Sequence, residues 1–253
     1  MNRDLKSYVE KYSDEGHYEF ERHQVFYRRK NILQHMNSNN HSCILEVGCG
    51  LDPLFQYIDL KSILSYVVVE PSVEFCNNAK KVASDFAKVK VVNSLIEDAN
   101  LGEKFDFLII SSLLHEIENP STILEKIKPL MSSGATAYVN VPNARSFHRL
   151  LGYESSLIKD IFEKSDNQLK FQQSHTFDMD SLKNLLSNSG FEVMEYGSYF
   201  VKPFTHSQMR ALMKEGIVDT RILDGLDSMV KYCPDLGSEI FATFRKFGKN
   251  YVE

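Results

Sequence analysis

The stretch Ser42-Cys43-Ile44-Leu45-Glu46-Val47-Gly48-Cys49-Gly50 decides the fold of this chain. Its first six residues form an apolar run too short for a helix, and the glycines that follow end it abruptly, as at the close of a buried strand. Gly48 and Gly50 let the backbone take φ values closed to other residues and pass close beneath a ligand. Glu70 lies twenty residues beyond Gly50, at the end of a second run, Tyr66-Val67-Val68-Val69-Glu70. A carboxylate at that place can accept hydrogen bonds from both hydroxyls of a ribose.

Outward from this stretch, strand and helix alternate. Asp52 and Pro53 read as the cap and first residue of a helix through Leu64, with Asp as side-chain acceptor and Pro pre-set in φ. A helix over 73–87, a strand ending at Asn93, a strand over 105–111, and a helix opened by Asn119-Pro120 and closed by Gly134 follow in turn. The strand Ala135 to Val141 then ends at Pro142. Continuous apolar strands separated by helices predict an α/β fold: a doubly wound parallel sheet covered on both faces.

Upstream, Phe20, Val25, Phe26, Ile32 and Leu33 fall near helical spacing and predict a helical cap within residues 1–41, with Phe20 and Phe26 in the core. Downstream of the 42–142 core, residues 143–178 are polar and irregular. That segment is too long for a plain connector and reads as a substrate lid. Residues 179–253 supply a helix ending at Gly190, the strand Phe191 to Phe200, further helices and a last strand, Glu239 to Lys246, all within one domain. The sheet then has seven strands.

Hydrophobic residues make up 43% and charged residues 25%, which fits a globular chain and excludes disorder. The formal net charge of −5 argues against a nucleic-acid partner. The one dense basic cluster, Arg28-Arg29-Lys30, stands near Glu19 and Glu21 and reads as a solvated helix face. Cys43, Cys49, Cys76 and Cys233 show no close CxxC pair, so we expect reduced thiols and no metal site. The opening MNRDLKSYVEKYSDEG has no apolar core and no run is long enough to span a bilayer, so a cytoplasmic protein without a membrane partner is expected. Oligomeric state is not legible.

The glycine pattern separates two ligand classes. In a dinucleotide site of the form GxGxxG the third glycine would stand at position 53, where this chain has Pro53. Asp52 beside it would repel a pyrophosphate. An adenosyl ligand without phosphates needs neither feature, so S-adenosylmethionine (SAM) fits better than NAD.

At this point the chain resembles the class I SAM-dependent methyltransferases. Ile44 to Gly50 is similar to their first motif, Val67 to Ser72 to their second, Asn93 to Asp98 to their adenine-binding stretch, and Phe105 to Pro120 to the fourth strand and its turn. The resemblance implies their Rossmann-like fold, with SAM as cofactor and S-adenosylhomocysteine (SAH) as product. It also implies contacts: Glu46, Gly48 and Gly50 at the methionine end, Glu70 on the ribose, Leu95 and Ile96 flanking the adenine, and Glu97 near its amino group. Cys49, Pro71, Ser111 and Ser112 join the cofactor set.

Methyl transfer requires an aligned nucleophile and exclusion of water, and a base only where the acceptor carries a proton. His115, just past the fourth strand, is the candidate base, because an unperturbed imidazole suits proton removal near neutrality. Asn143, Arg145, His148, Arg149 and His175 on the lid are substrate candidates, joined by Lys202, and by Tyr18 and His23 of the cap; Tyr27 is a further cap residue that could face the site. The segments around Asn143, His175 and Lys202 resemble a small-molecule subgroup tied to bacterial surface-polysaccharide and specialised-metabolite pathways. Such a lid suits an anionic acceptor, such as a phosphorylated or nucleotide-linked sugar, methylated on oxygen. The alternatives are a protein or RNA methyltransferase and a non-catalytic SAM- or NAD-binding protein.

Overall fold

In a computed structural model, residues 15–37 and 40–248 are described, apart from the side chains of residues 15–18, 166 and 167. The elements run α1 (Glu15–Asn37), β1 (Cys43–Val47), β2 (Ser65–Val69), α2 (Val73–Ala83), β3 (Val89–Val92), β4 (Phe105–Ser111), α3 (Pro120–Ile127) and β5 (Met131–Pro142). There follow α4 (Phe147–Glu154), α5 (Asp166–Lys170), α6 (Met179–Asn188), β6 (Phe191–Tyr199), α7 (His206–Lys214), α8 (Thr220–Ser228) and β7 (Glu239–Lys246).

Seven strands form one sheet in the order β3-β2-β1-β4-β5-β7-β6. The first five run parallel, whereas β7 is antiparallel to both β5 and β6. The five alternating strands are parallel as expected, and the last two make the seven-stranded sheet mixed. Strand order reverses between β1 and β4, and in such sheets the ligand crevice lies at the carboxyl ends of the strands flanking that reversal.

Alternation along each strand divides the core between the two faces. Leu45, Val47, Val67, Val69, Leu108 and Ile110 pack with α3 and α6 through Ile123, Leu124, Ile127, Leu182 and Leu186. Ile44, Tyr66, Val68, Phe107 and Ile109 pack on the other face with Phe20, Tyr27, Ile32 and Met36 of α1, Met209 of α7 and Leu223 of α8. The cap helix is thus part of the core. Phe26 departs from expectation: it is 54% exposed, because at this register Tyr27 takes the inward place, stacked on Phe200.

The expected helix from Pro53 to Leu64 is a single 3-10 turn, Leu54–Tyr57. Pro53 has ψ 138°, so it stands before the turn as an extended capping residue and is not the first helical residue. Asp52 is also not free to cap, because its carboxylate holds Arg29 (2.6 Å), Gln56 (3.1 Å) and the Tyr57 hydroxyl (2.9 Å). Nor does Gly134 close α3. The helix ends at Ile127 and tightens into a 3-10 turn over Lys128–Leu130, where Pro129 lacks an N–H to continue it. Gly134 lies inside β5. Residues 143–178 hold two short helices, α4 and α5, and are tied back by an isolated bridge between Asn143 and Phe177. Among the described residues no helix is long and apolar enough to cross a membrane, and all four cysteines are free thiols.

Candidate functional site

At the carboxyl ends of β1, β2 and β4 lies a cavity of about 170 Å³, walled by Glu46, Gly48, Cys49, Gly50, Glu70, Pro71, Ser111 and Ser112. Gly48 (φ +74°) and Gly50 (φ +59°) turn the chain back beneath it, and a Cβ built on Gly50 would meet nothing within 4 Å. The turn is therefore open on the ligand side. Glu70 is 4% exposed and accepts N–H bonds from Cys49 (3.0 Å), Gly50 (3.3 Å) and Ser72 (2.8 Å). Burial raises its pKa, and these three N–H donors oppose the rise. Asn93 fixes the same corner by donating to the carbonyls of Glu70 (2.8 Å) and Pro71 (3.1 Å).

Glu46 accepts from the Leu54 N–H (3.2 Å) and the Tyr66 hydroxyl (2.8 Å). Burial pushes its pKa up to about 7 despite those bonds. The Cys49 thiol is pushed far up by burial, with Glu46 and Glu70 adding to the effect, so it stays protonated. Leu95, Ile96 and Glu97 stand apart from this cavity. Leu95 is exposed, Ile96 belongs to the core, and Glu97 buries one carboxylate oxygen with no hydrogen bond among the described residues.

A second cavity, of about 550 Å³, lies beneath residues 143–178 and is bounded by His115, Asn143, His148, Arg149, Phe171, His175, Lys202, Phe204 and Glu239. The two cavities share Glu21, Arg28 and Ser112 in their walls. Ser112 holds φ +51°, a left-handed conformation uncommon outside glycine, and its N–H donates to the Asn140 carbonyl (3.0 Å). His115 is buried, and its carbonyl accepts the N–H groups of Ser174 (2.8 Å) and His175 (2.9 Å), which binds the far end of the 143–178 segment to the turn after β4. Its Nε2 lies 3.9 Å from Glu116 Oε1.

Several of the residues expected to meet a substrate are engaged elsewhere. Arg149 donates to the carbonyls of Ile161 (2.9 Å) and Glu163 (2.5 Å) and to Gln168 (3.3 Å), pinning its own segment. His175 Nε2 lies 2.9 Å from the Glu118 carbonyl. Asn143 donates to the carbonyls of Asp235 and Gly237 (both 2.9 Å) and accepts from the Arg145 N–H. Arg145 is exposed and lines neither cavity. His23 also lies outside both, packed on Phe20, and Tyr27 donates to Asp224 (3.0 Å). The side chain of Tyr18 falls outside the described residues.

Among the described residues, Lys202 and His148 of the larger cavity make no hydrogen bond. Lys202 is 4% exposed and makes no hydrogen bond or ion pair among the described residues; its Nζ sits 6.0 Å from the Phe20 ring centroid. Burial lowers its pKa to about 8, against the opposing charges of Glu21 and Glu239. His148 likewise makes no hydrogen bond among the described residues, and its Nδ1 is buried. Burial, then Lys202, His206 and Arg149, hold it neutral, with a pKa far below the usual histidine value.

Arg28-Arg29-Lys30 is not a solvated face. Arg28 donates to both oxygens of Glu239 (2.5–3.1 Å) and to Glu21 (3.2 Å), Arg29 pairs with Asp52 (2.6 Å), and Lys30 with Asp227 (2.6 Å). Glu239 also accepts from Gln24 (3.1 Å), Asn140 (2.6 Å) and the Tyr199 hydroxyl. Burial alone would raise its pKa, but Arg28 and these donors hold it below the usual value. Glu21, Gln24 and Arg28 are wall residues that sequence reading missed. Their i, i+3, i+7 spacing on one face of α1 was the available signal.

Residues 19–196 match a family model described as a methyltransferase domain. No curated protein matches the sequence. Among solved structures, the N-methyltransferase NodS from Bradyrhizobium japonicum WM9 is 12% identical with a TM-score of 0.56, over 90% of this chain and 96% of that one. The plantazolicin methyltransferase BamL, solved with a triazolic desmethylPZN analog and SAH, is 17% identical with a TM-score of 0.57, over 96% of this chain and 91% of that one. The [4+2]-cyclase SpnF is 17% identical with a TM-score of 0.55, over 82% of this chain and 75% of that one. At such identities the likeness is one of fold, and SpnF carries a different reaction name on it.

Proposed function

Because the chain belongs to the methyltransferase-domain family, we propose that it transfers a methyl group from SAM to the oxygen of a small anionic acceptor. The observation that carries this reading is the pair of cavities meeting at Glu21, Arg28 and Ser112. One holds the donor, the other the acceptor.

The smaller cavity suits an adenosyl ligand. Glu70 offers a fixed carboxylate for two ribose hydroxyls, and the open face of Gly50 leaves room for the ligand against backbone. Glu46, placed to meet the ammonium of the methionine end, is pulled toward ionisation by that charge. Cys49, Pro71, Ser111 and Ser112 complete the wall. The assignment of Leu95, Ile96 and Glu97 to the adenine rests on the family resemblance alone.

The bound cofactor supplies an electrophilic methyl group. The protein has to orient the acceptor and keep water out. Residues 143–178 act as the lid, with Arg149 holding its fold and the backbone bonds from Ser174 and His175 anchoring it at His115. His115, in the wall of the acceptor cavity just past β4, takes the proton of the acceptor hydroxyl. Lys202 and His148 meet the acceptor's anionic group.

Calorimetric titration with SAM, SAH and NAD tests the reading. Binding of the first two, lost in Glu70→Ala, supports it. Heat with NAD alone overturns it in favour of a dehydrogenase-like site.

A further inference from the structure

The acceptor cavity has two unlike walls. From α4 and the loop after it come Leu151, Gly152, Leu157 and Ile158, with Phe171 and Phe204 beside them. Leu157 is 77% exposed and Leu151 and Phe204 are each 39% exposed, so among the described residues part of their apolar surface is left open to the cavity and solvent. The opposite wall is charged, formed by Glu21, Arg28, Glu239 and Lys202. Within it Arg28 is held by Glu239 and Glu21, and Glu239 by four donor side chains. His206 lies 3.5 Å from Glu21. Among the described residues of this wall, Lys202 alone presents a charge with no hydrogen bond or ion pair.

Resting on the methyl-transfer reading, we propose that the acceptor is an amphipathic monocarboxylate, its carboxylate on Lys202 and its apolar body against Leu151, Leu157 and Phe204. A nucleotide-linked sugar, one acceptor the sequence suggested, fits less well. Its two phosphates carry at least two negative charges, and among the described residues Lys202 is the one cavity cation with neither a hydrogen bond nor an ion pair, Arg149 being held by the carbonyls of its own segment. A monocarboxylate matches the single ammonium. His148, beside Lys202, is neutral and adds a hydrogen-bonding group without a second charge.

Lys202 is acted on by Glu21 from α1 and Glu239 from β7, and shares the cavity wall with Arg28 from α1, His148 and Arg149 from α4 and His206 from α7. Of these cations, among the described residues, it alone has neither a hydrogen bond nor an ion pair and is charged near neutrality. With its pKa at about 8, carboxylate affinity is expected to fall about tenfold from pH 7 to pH 9.

The test is calorimetry on the full chain, with and without saturating SAH, using 4-phenylbutyrate, its neutral amide and UDP-glucose as probes. The acid should bind at least tenfold tighter than the amide. Lys202→Met should remove that preference, and Leu157→Ser, at an exposed position safe for folding, should weaken the acid severalfold. SAH affinity should stay unchanged in both variants. Equal binding of acid and amide, or tighter binding of UDP-glucose, overturns the proposal. Loss of SAH binding in the unmodified protein would instead overturn the cofactor reading, and leave the acid-against-amide comparison to be judged by itself.

Discussion

The two cavities are built in opposite ways. The smaller one draws its floor from residues 46–52, 70–72 and 111–113, and its key contacts are backbone N–H groups gathered on one carboxylate, Glu70. The larger one is assembled from side chains of α1, the segment after β5, the turn after β6 and the start of β7. A site made of strand ends and backbone is carried by the fold itself. A site made of long side chains depends on which distant partner each one finds, and so can change its ligand without changing the sheet.

The sharpest way to break this contrast is at His115, whose side chain belongs to the acceptor side. His115→Ala should lower turnover by roughly 10²–10⁴-fold, while SAM and acceptor still bind in calorimetry. A near-normal rate would remove the residue from the chemistry and point to an acceptor that is already ionised.

Arg28 sits in both walls, and its loss should strike the whole molecule. Arg28→Ala strands the buried Glu239 carboxylate, a change that costs about 3–5 kcal/mol when a buried pair is broken. The thermal midpoint should drop accordingly. A variant that also replaces Glu239 by Gln should recover part of the loss, and no recovery would show that the pair itself is not what matters.

On the cofactor side, Glu70→Ala removes a charged acceptor whose hydrogen bonds are worth about 1.5–3 kcal/mol each. SAM affinity should fall at least tenfold in titration, with acceptor affinity nearly unchanged. Equal losses for both ligands would mean that the two cavities are not independent.

Glu46 gives the same side a pH signature. Its pKa is raised to about 7 in the fold, above the usual carboxylate value, so between about pH 4.5 and 7 the folded state binds more protons than the unfolded one. Its contribution to ligand-free stability therefore declines as pH rises through that window, while SAM, bringing a cation, should bind better over the same rise. Glu46→Gln should flatten both dependences, measured by melting and by titration. The smallest effects belong to the lid. Arg149→Ala should raise the acceptor KM severalfold by loosening residues 161–168, and Arg145→Ala, exposed and outside both cavities, should leave it within error.

Much of the smaller cavity was legible in the residues. The apolar run over 43–47, the glycine turn after it and Glu70 at the end of β2 lie where their types and spacing put them, and β4 and β7 match the expected ranges. Local errors had local causes. Asp52-Pro53 has the chemistry of a helix start, yet Asp52 is taken by Arg29 from another helix, and Pro53 stays extended. The acceptor side was far less legible. Arg145, Arg149 and His175 look alike in a sequence as cations on a polar segment, but one faces solvent, one braces the segment and one is bound to a backbone carbonyl.

Residue order alone set the strands, the helices flanking β3 and β4 (though not the first crossover) and the glycine turn, because apolar periodicity and backbone freedom act between near neighbours in the chain. Only the tertiary structure decided the antiparallel place of β7 and which charges were left free. Arg28 and Glu239 stand 211 residues apart, and no local rule pairs them. Burial forces such groups to find partners, and among the described residues Lys202 is buried in the wall of the larger cavity without one.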